Sequence, residues 1–194
     1  MQAEPCLSVV VPVFDEAENL EPLHGEIEAA LRELRGGFEL IYVDDGSRDG
    51  SAERLAALAA RDPCVRVLRF AENRGQTAAL AAGFRAARGR YTATLDGDGQ
   101  NDPADLPRLL AALDGADVVN GVRVERRDTW LRRLASRVAN GFRNWATGES
   151  VTDVGCSLRV MRTDLLRRVK LFRGLHRFLP TLLRMEGARV VEIP

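Results

Sequence analysis

Short apolar runs rich in β-branched residues alternate with segments of helical periodicity, and this alternation constrains the fold more than any other feature of the chain. Leu7 to Val13, Phe38 to Val43 and Val65 to Phe70 are such runs, each bounded by Gly, Pro or acidic turn residues. Their predominantly apolar character is that of buried parallel strands. Ala17 to Leu34, Ala52 to Ala60 and Thr77 to Ala87 carry apolar residues at helical spacing, the last leading into a strand from Tyr91 to Leu95. The order predicts an α/β fold with a mostly parallel central sheet flanked by helices. Beyond it the pattern predicts a helix over Pro103 to Leu113 and a strand over Asp117 to Asn120. A long Arg-rich helix over Asp128 to Thr147, a strand over Ser157 to Met161, a helix from Thr163 and a last strand over Arg189 to Ile193 complete it. No repeat, low-complexity tract or linker interrupts the chain, so a single domain spanning 1–194 is expected.

Composition narrows the function classes. With 45% hydrophobic residues and 28 basic against 28 acidic side chains, the chain is neither disordered nor a general nucleic-acid binder, whose phosphate contacts need a basic excess. Cys6, Cys64 and Cys156 form no Cys-x-x-Cys pair, and His24 and His176 are isolated in sequence. Buried, reduced thiols are therefore expected, rather than disulfides or a zinc site. The N-terminus lacks the pattern of a signal peptide, and no run approaches the ~20 apolar residues of a membrane span, so a cytoplasmic location is expected.

In open α/β sheets ligands bind outside the carboxyl ends of the strands. Pro12, Asp15 and Glu16 follow the first strand, Asp44 and Asp45 end the second, Asn73 follows the third, and Asp96 and Asp98 end the fourth. The segment Leu95 to Pro103 is the sharpest of these. Two carboxylates one residue apart, with the Gln100 amide two positions on, can converge on a hard divalent cation, leaving further positions to substrate phosphates and water. An isolated Asp-x-Asp is more often an acidic turn capping a helix; the other rim carboxylates shift the balance toward a metal. After the second strand, Asp44 to Gly50 offers a carboxylate for the donor groups of a base or ribose, while Ser47 or Asp49 is placed to cap the next helix. No Gly-x-Gly-x-x-Gly follows the first strand, which disfavours a nicotinamide enzyme.

The series Val11 to Glu16, Val43 to Gly50, Asn73 to Gly75, Leu95 to Gln100, Gly121 to Arg123 and Asp153 to Arg159 resembles family 2 glycosyltransferases of the GT-A fold. Within them it is most similar to the dolichol-phosphate mannose synthase and bacterial polyprenyl-phosphate glycosyltransferase group. The resemblance implies a nucleoside-diphosphate sugar donor (GDP-mannose or a UDP-hexose), Mg²⁺ or Mn²⁺, inversion at the sugar carbon and a polyprenyl phosphate acceptor. Pro12, Phe14, Glu16, Val43 and Asp45 fall where the family surrounds the nucleoside, with Phe14 where relatives often have Tyr. Asp96 and Gly97 match donor-binding positions. Asp98 and Gln100 match the metal-binding part of the motif, with Asp96 beside them. Arg123 would face donor or acceptor phosphate, and Val122 replaces the family's Ser next to it. Arg132 and Ser136 match an acceptor-side pair, with Arg133 leaving the register open, and Asp153 matches an acidic position near the reacting centre.

A phosphate monoester acceptor is already ionised near neutral pH, its second pKa being about 6, so it needs positioning more than a general base. Arg123 and Arg132 would hold it in line; Asp153 would orient it, or act as base toward an alcohol. Rival readings are a family 2 enzyme acting on a saccharide or protein hydroxyl, a nucleotidyltransferase, which lacks its Gly-rich Lys-containing loop here, and a non-catalytic nucleotide-sugar sensor. The charge is split: 12 basic against 21 acidic residues through Val122, and 16 against 7 from Arg123 onward. The basic part, with Trp130, Leu131, Leu134, Val138 and Phe142 among its arginines, suits an anionic membrane interface, and equally a helix packed on the sheet. Peripheral attachment to the inner face of the cell membrane is the expectation. The chain stops at Pro194, where family members usually continue into a basic loop that helps close the donor site. A truncated chain with an intact fold and weak turnover is thus also among the expectations.

Overall fold

The computed structural model describes residues 4–122, 156–172 and 174–193. Seven strands form one sheet: β1 (Leu7–Val13), β2 (Phe38–Asp44), β3 (Val65–Arg69), β4 (Tyr91–Thr94), β5 (Val118–Gly121), β6 (Arg159–Arg162) and β7 (Val190–Ile193), in the order β3-β2-β1-β4-β6-β5-β7. β1 pairs in parallel with β2 and β4, β2 with β3, and β5 with β7; β6 alone runs antiparallel, between β4 and β5. The sequence pattern of β6 is no different from that of a parallel strand, so its direction is a tertiary result.

The pleat of β1 divides the core. Val9, Val11 and Val13 join a cluster with Leu20, Leu23 and Ile27 of α1 (Leu20–Leu31), Leu55 and Leu58 of α2 (Ser51–Arg61), and Leu106 and Leu109 of α4 (Leu106–Ala111). Val10, with Ile41 and Val43, faces α3 (Gln76–Ala86) and the helix Leu179–Met185 on the other side. Both faces are covered, which is why apolar residues of β1 and β2 are buried on each side of the sheet.

Several elements are shorter than their patterns predict. The first helix begins at Leu20, not Ala17, because the amides of residues 15–17 are bonded to the loop after β2. The segment from Pro103 is a 3₁₀ turn (Pro103–Asp105) followed by α4, with Pro107 unable to donate a helical hydrogen bond. The helix from Thr163 is a single turn, Thr163–Leu166. All three cysteines are free; Cys156 is buried, whereas Cys6 and Cys64 are partly exposed. The Arg-rich helix expected over 128–147 lies outside the described residues.

At the amino-terminal end of the sheet, buried Glu39 accepts from Ser8 Oγ and Arg66 Nη1, each at 2.7 Å, and from the Arg88 N–H at 2.8 Å. Burial acts most strongly on this carboxyl and raises its pKa, but the three hydrogen bonds and the Arg66 charge outweigh it and hold the group below its ordinary 4.5. A depressed folded-state pKa stabilises fully above the unfolded value and is lost as pH falls through the folded one. In urea titrations, the stability advantage of wild type over Glu39→Gln should therefore shrink as pH falls below about 4.5; a constant difference would contradict this.

Candidate active site

β1, β2 and β4 are in register, Val13 opposite Asp44 and Val10 opposite Thr94, so the loops after them open at one rim. The first two loops are stitched together by backbone amides. The Asp15 N–H donates to Ser47 Oγ at 3.0 Å, Glu16 N–H to Ser51 Oγ at 3.0 Å, Ala17 N–H to Asp49 Oδ2 at 2.9 Å, and Arg48 N–H to Asp15 Oδ1 at 2.7 Å. These bonds hold Asp15 at φ 56°, a left-handed conformation that Asp tolerates better than most residues. Ser47 is thereby spent on the neighbouring loop, and the cap position of α2 is Gly50.

Gly46 joins the second loop to the third. Its φ is +78°, and a Cβ there would lie 2.7 Å from the Glu72 carbonyl carbon and 2.8 Å from the Asn73 nitrogen. Next to it, Asp45 accepts the Arg74 N–H on Oδ1 at 2.7 Å and the Gly75 N–H on Oδ2 at 2.8 Å. A sequence in which Asp45 reads as a nucleoside contact thus also gives it the task of shaping the 73–76 turn.

Between these loops lies a cleft of about 340 Å³. Pro12, Phe14 and Glu16 line it from β1, Asp45 from β2, and Asp96, Gly97 and Asp98 from β4. Phe14 is 46% exposed, an aromatic face open to a planar ligand. A Cβ at Gly97 would sit 3.2 Å from the Pro12 carbonyl oxygen, so glycine lets the acidic loop lie against the end of β1. Val43 is different: its side chain is fully buried in the core, away from the cleft. Gln100 is exposed and is not among the cleft walls; its N–H donates to Asp98 Oδ1 at 3.1 Å. Arg123, Arg132, Ser136 and Asp153 lie outside the described residues.

Asn73, Gly75 and Gln76 also line the cleft. The Asn73-Arg74-Gly75 motif signals the first two, but nothing in the sequence singles out Gln76, whose Nε2 donates to Asp96 Oδ1 at 2.7 Å. The Ser157 hydroxyl, which accepts from Asn101 Nδ2 at 2.7 Å, also hydrogen-bonds Asp96. Ser157 reaches Asp96 because β6 lies beside β4, a contact between residues 61 positions apart in sequence. Behind this pair, buried Arg159 donates to Asn120 Oδ1 at 2.7 Å and to the His176 carbonyl at 3.0 Å. His176 Nδ1 is 2.7 Å from Thr77 Oγ1; burial first, then Arg177 and Arg159, hold this imidazole below its ordinary 6.5 against the pull of Asp96.

Burial is the largest influence on Asp96 and raises its pKa above the ordinary 3.8. The Ser157 hydrogen bond, Arg159 and His176 oppose this, and the neighbouring Asp98 charge adds to it. An enclosed carboxylate beside an exposed one on the same cleft, the second disfavouring ionisation of the first, fits a hard divalent cation, which relieves that penalty. Asp96 and Asp98 would hold it; Gln100 is close in sequence.

Comparison with known proteins follows the same line. Residues 8–170 match Glycosyl transferase family 2. The chain is 44% identical over 189 residues to the undecaprenyl-phosphate 4-deoxy-4-formamido-L-arabinose transferase of Pseudomonas paraeruginosa (strain DSM 24068 / PA7), covering 96% of this chain and 56% of the relative. It is 40% identical over 178 residues to the dodecaprenyl-phosphate galacturonate synthase of Rhizobium johnstonii (strain DSM 114642 / LMG 32736 / 3841), covering 90% and 53%. The chain spans a little over half the length of these curated relatives. Among solved structures, the mannosyltransferase PcManGT of Pyrobaculum calidifontis, in complex with GDP-Man and Mn²⁺, superposes with a TM-score of 0.74 at 22% identity, over 100% of this chain and 56% of that one. The glucosyl-3-phosphoglycerate synthase of Mycobacterium tuberculosis, in complex with Mn²⁺, UDP and glucosyl-3-phosphoglycerate, gives 0.73 at 20% identity, over 98% and 70%. The sheet, its rim of acidic loops and these similarities place the chain in glycosyl transferase family 2, with a GT-A fold.

Proposed function

We propose that this chain is the catalytic domain of an inverting, metal-dependent glycosyltransferase that moves a sugar from a nucleoside diphosphate to a polyprenyl phosphate at the inner membrane face. The observation that carries the reading is the cleft in which Phe14 and Asp45 face Asp96 and Asp98. An aromatic face and a carboxylate suit a nucleoside, and the acidic pair would suit a cation that accompanies a diphosphate. The names of the relatives, both transferases or synthases of polyprenyl-phosphate sugars, support the acceptor. Those names carry a modified arabinose and galacturonate, so the hexose implied by the sequence resemblance is widened here to a glycosyl group.

Bound Mg²⁺ or Mn²⁺ would supply Lewis-acid stabilisation of the leaving diphosphate. Asp96 is kept oriented by Gln76 and Ser157, so the carboxylate meets its ligand without reorganising. The phosphate acceptor attacks already ionised, with Arg123 and Arg132 positioning it and Asp153 orienting the acceptor or one of the arginines. No described helix is long and apolar enough to cross a membrane. Exposed Phe172, Phe178 and Met185, in the Arg-containing stretch after β6, support contact with a lipid surface.

The test is a transfer assay with Mn²⁺ and a panel of GDP- and UDP-sugars, comparing a short polyprenyl phosphate with the corresponding polyprenol. Transfer to the phosphate alone is expected, with a rate that declines as pH falls below about 6 and the acceptor becomes monoanionic. Equal transfer to the polyprenol would overturn the acceptor assignment, and donor binding without hydrolysis or transfer would favour a sensor.

A further inference from the structure

We propose that His24, Glu28 and Asp62 form a second metal site, which takes a divalent transition-metal ion of the zinc class and clamps α1 to the end of α2. The site is remote from the cleft. Asp62 closes α2 and precedes β3, whose first residue Val65 pairs with Leu40 early in β2; the cleft opens at the opposite ends of these strands.

The ligand set is chemically suited to such an ion. His24 and Glu28 lie four residues apart on α1 and therefore on one face. His24 Nε2 is 3.5 Å from Asp62 Oδ2 and 3.8 Å from Glu28 Oε2. Tetrahedral ligands at about 2.0–2.2 Å from a metal are separated by roughly 3.3–3.6 Å; the three ligand atoms lie within 4.8 Å of one another, so a small inward movement of the exposed Glu28 side chain closes the shell. One imidazole nitrogen and two carboxylates, with a fourth position for water, form a familiar donor set for zinc.

Independent observations favour a cation between these groups. Asp62 Oδ2 is wholly buried and accepts no hydrogen bond, although Oδ1 takes the Cys64 N–H at 2.7 Å. The His24 side chain is 3% exposed, with Nδ1 facing the Tyr42 hydroxyl at 3.5 Å. With the proton on Nδ1, the lone pair of Nε2 points at two carboxylates, an arrangement that a cation between them converts from repulsive to attractive; the tyrosine then supports the imidazole from behind. The surrounding field is negative. Arg61, the nearby cation on α2, is ion-paired with Glu21. Glu28 is 55% exposed and gives an ion a route in.

Chelator-stripped protein carrying Asp98→Asn, which removes a carboxylate from the cleft, is titrated with Co²⁺ and read by visible absorption, then back-titrated with Zn²⁺. One tetrahedral Co²⁺ per chain, displaced by Zn²⁺, is expected. Adding Glu28→Gln or Asp62→Asn should weaken binding at least about ten-fold with an unchanged circular dichroism spectrum. Glu28 is on the surface, so its variant decides the matter even if Asp62→Asn perturbs folding. Absence of a tetrahedral spectrum, or unweakened binding by the Glu28→Gln variant, would overturn the site.

Discussion

Asp98→Ala is expected to lower metal-dependent sugar transfer by at least about a thousand-fold, which corresponds to roughly 4 kcal/mol of transition-state stabilisation. Asp98 is exposed at the cleft, where its Oδ1 accepts a hydrogen bond from the Gln100 N–H. Its removal should therefore change folding stability by no more than about 0.5 kcal/mol, the range of ordinary surface substitutions. The contrast between the two readouts is the point of the experiment. A carboxylate that served only as a helix-capping turn would cost stability and spare turnover. Transfer rates measured against Mn²⁺ concentration, beside urea unfolding of the same variant, separate these cases; an active Asp98→Ala enzyme that ignores added metal would remove Asp98 from the site.

The second large effect is expected at Asp45. Its carboxylate is the acceptor for the Arg74 and Gly75 amides, and that turn leads directly into Gln76, the donor to Asp96. Asp45→Ala leaves two backbone donors without their partner, a loss of about 2–3 kcal/mol in stability, and loosens the wall that carries Gln76. Donor affinity should fall at least about ten-fold, by calorimetric titration with nucleoside-diphosphate sugar and Mn²⁺. Asp45→Asn keeps an acceptor oxygen and should lie between the two. Unchanged donor affinity in Asp45→Ala would mean that this residue shapes only the turn and that the nucleoside is held elsewhere.

How much of this was legible without coordinates varies with the range of the interaction. The strands β1 to β4 and their acidic ends follow from local patterning, because a parallel strand buried on both faces has no polar positions to spare and its loop must carry them. The role of Asp45 was half visible: a carboxylate at a strand end signals a ligand, but the two amides it holds come from residues 29 and 30 positions on. Val43 belongs to the same motif as Asp45 but has a different setting. It lies within β2, where its side chain packs with Val10 and Ile41 in the core, whereas Asp45 comes just after the last strand residue and lines the cleft. Gln76 carried no sequence signal, and Ser157 only its place in the Asp153 to Arg159 motif, since an amide and a hydroxyl become informative only when a partner such as Asp96 is placed against them.

The histidines sharpen the same lesson. His24 is isolated in sequence, and its relation to Asp62 arises because α1 and α2 pack side by side on one face of the sheet. Local chemistry therefore determined the α/β class, the family and the acidic pair Asp96 and Asp98, all of which depend on residues within a few positions of one another. The tertiary structure alone decided the reversed direction of β6, the bracing of Asp96 by Gln76 and Ser157, and the meeting of His24, Glu28 and Asp62. Each of these depends on side chains brought together by sheet order and helix packing, and no local period in a sequence encodes which distant segments will become neighbours.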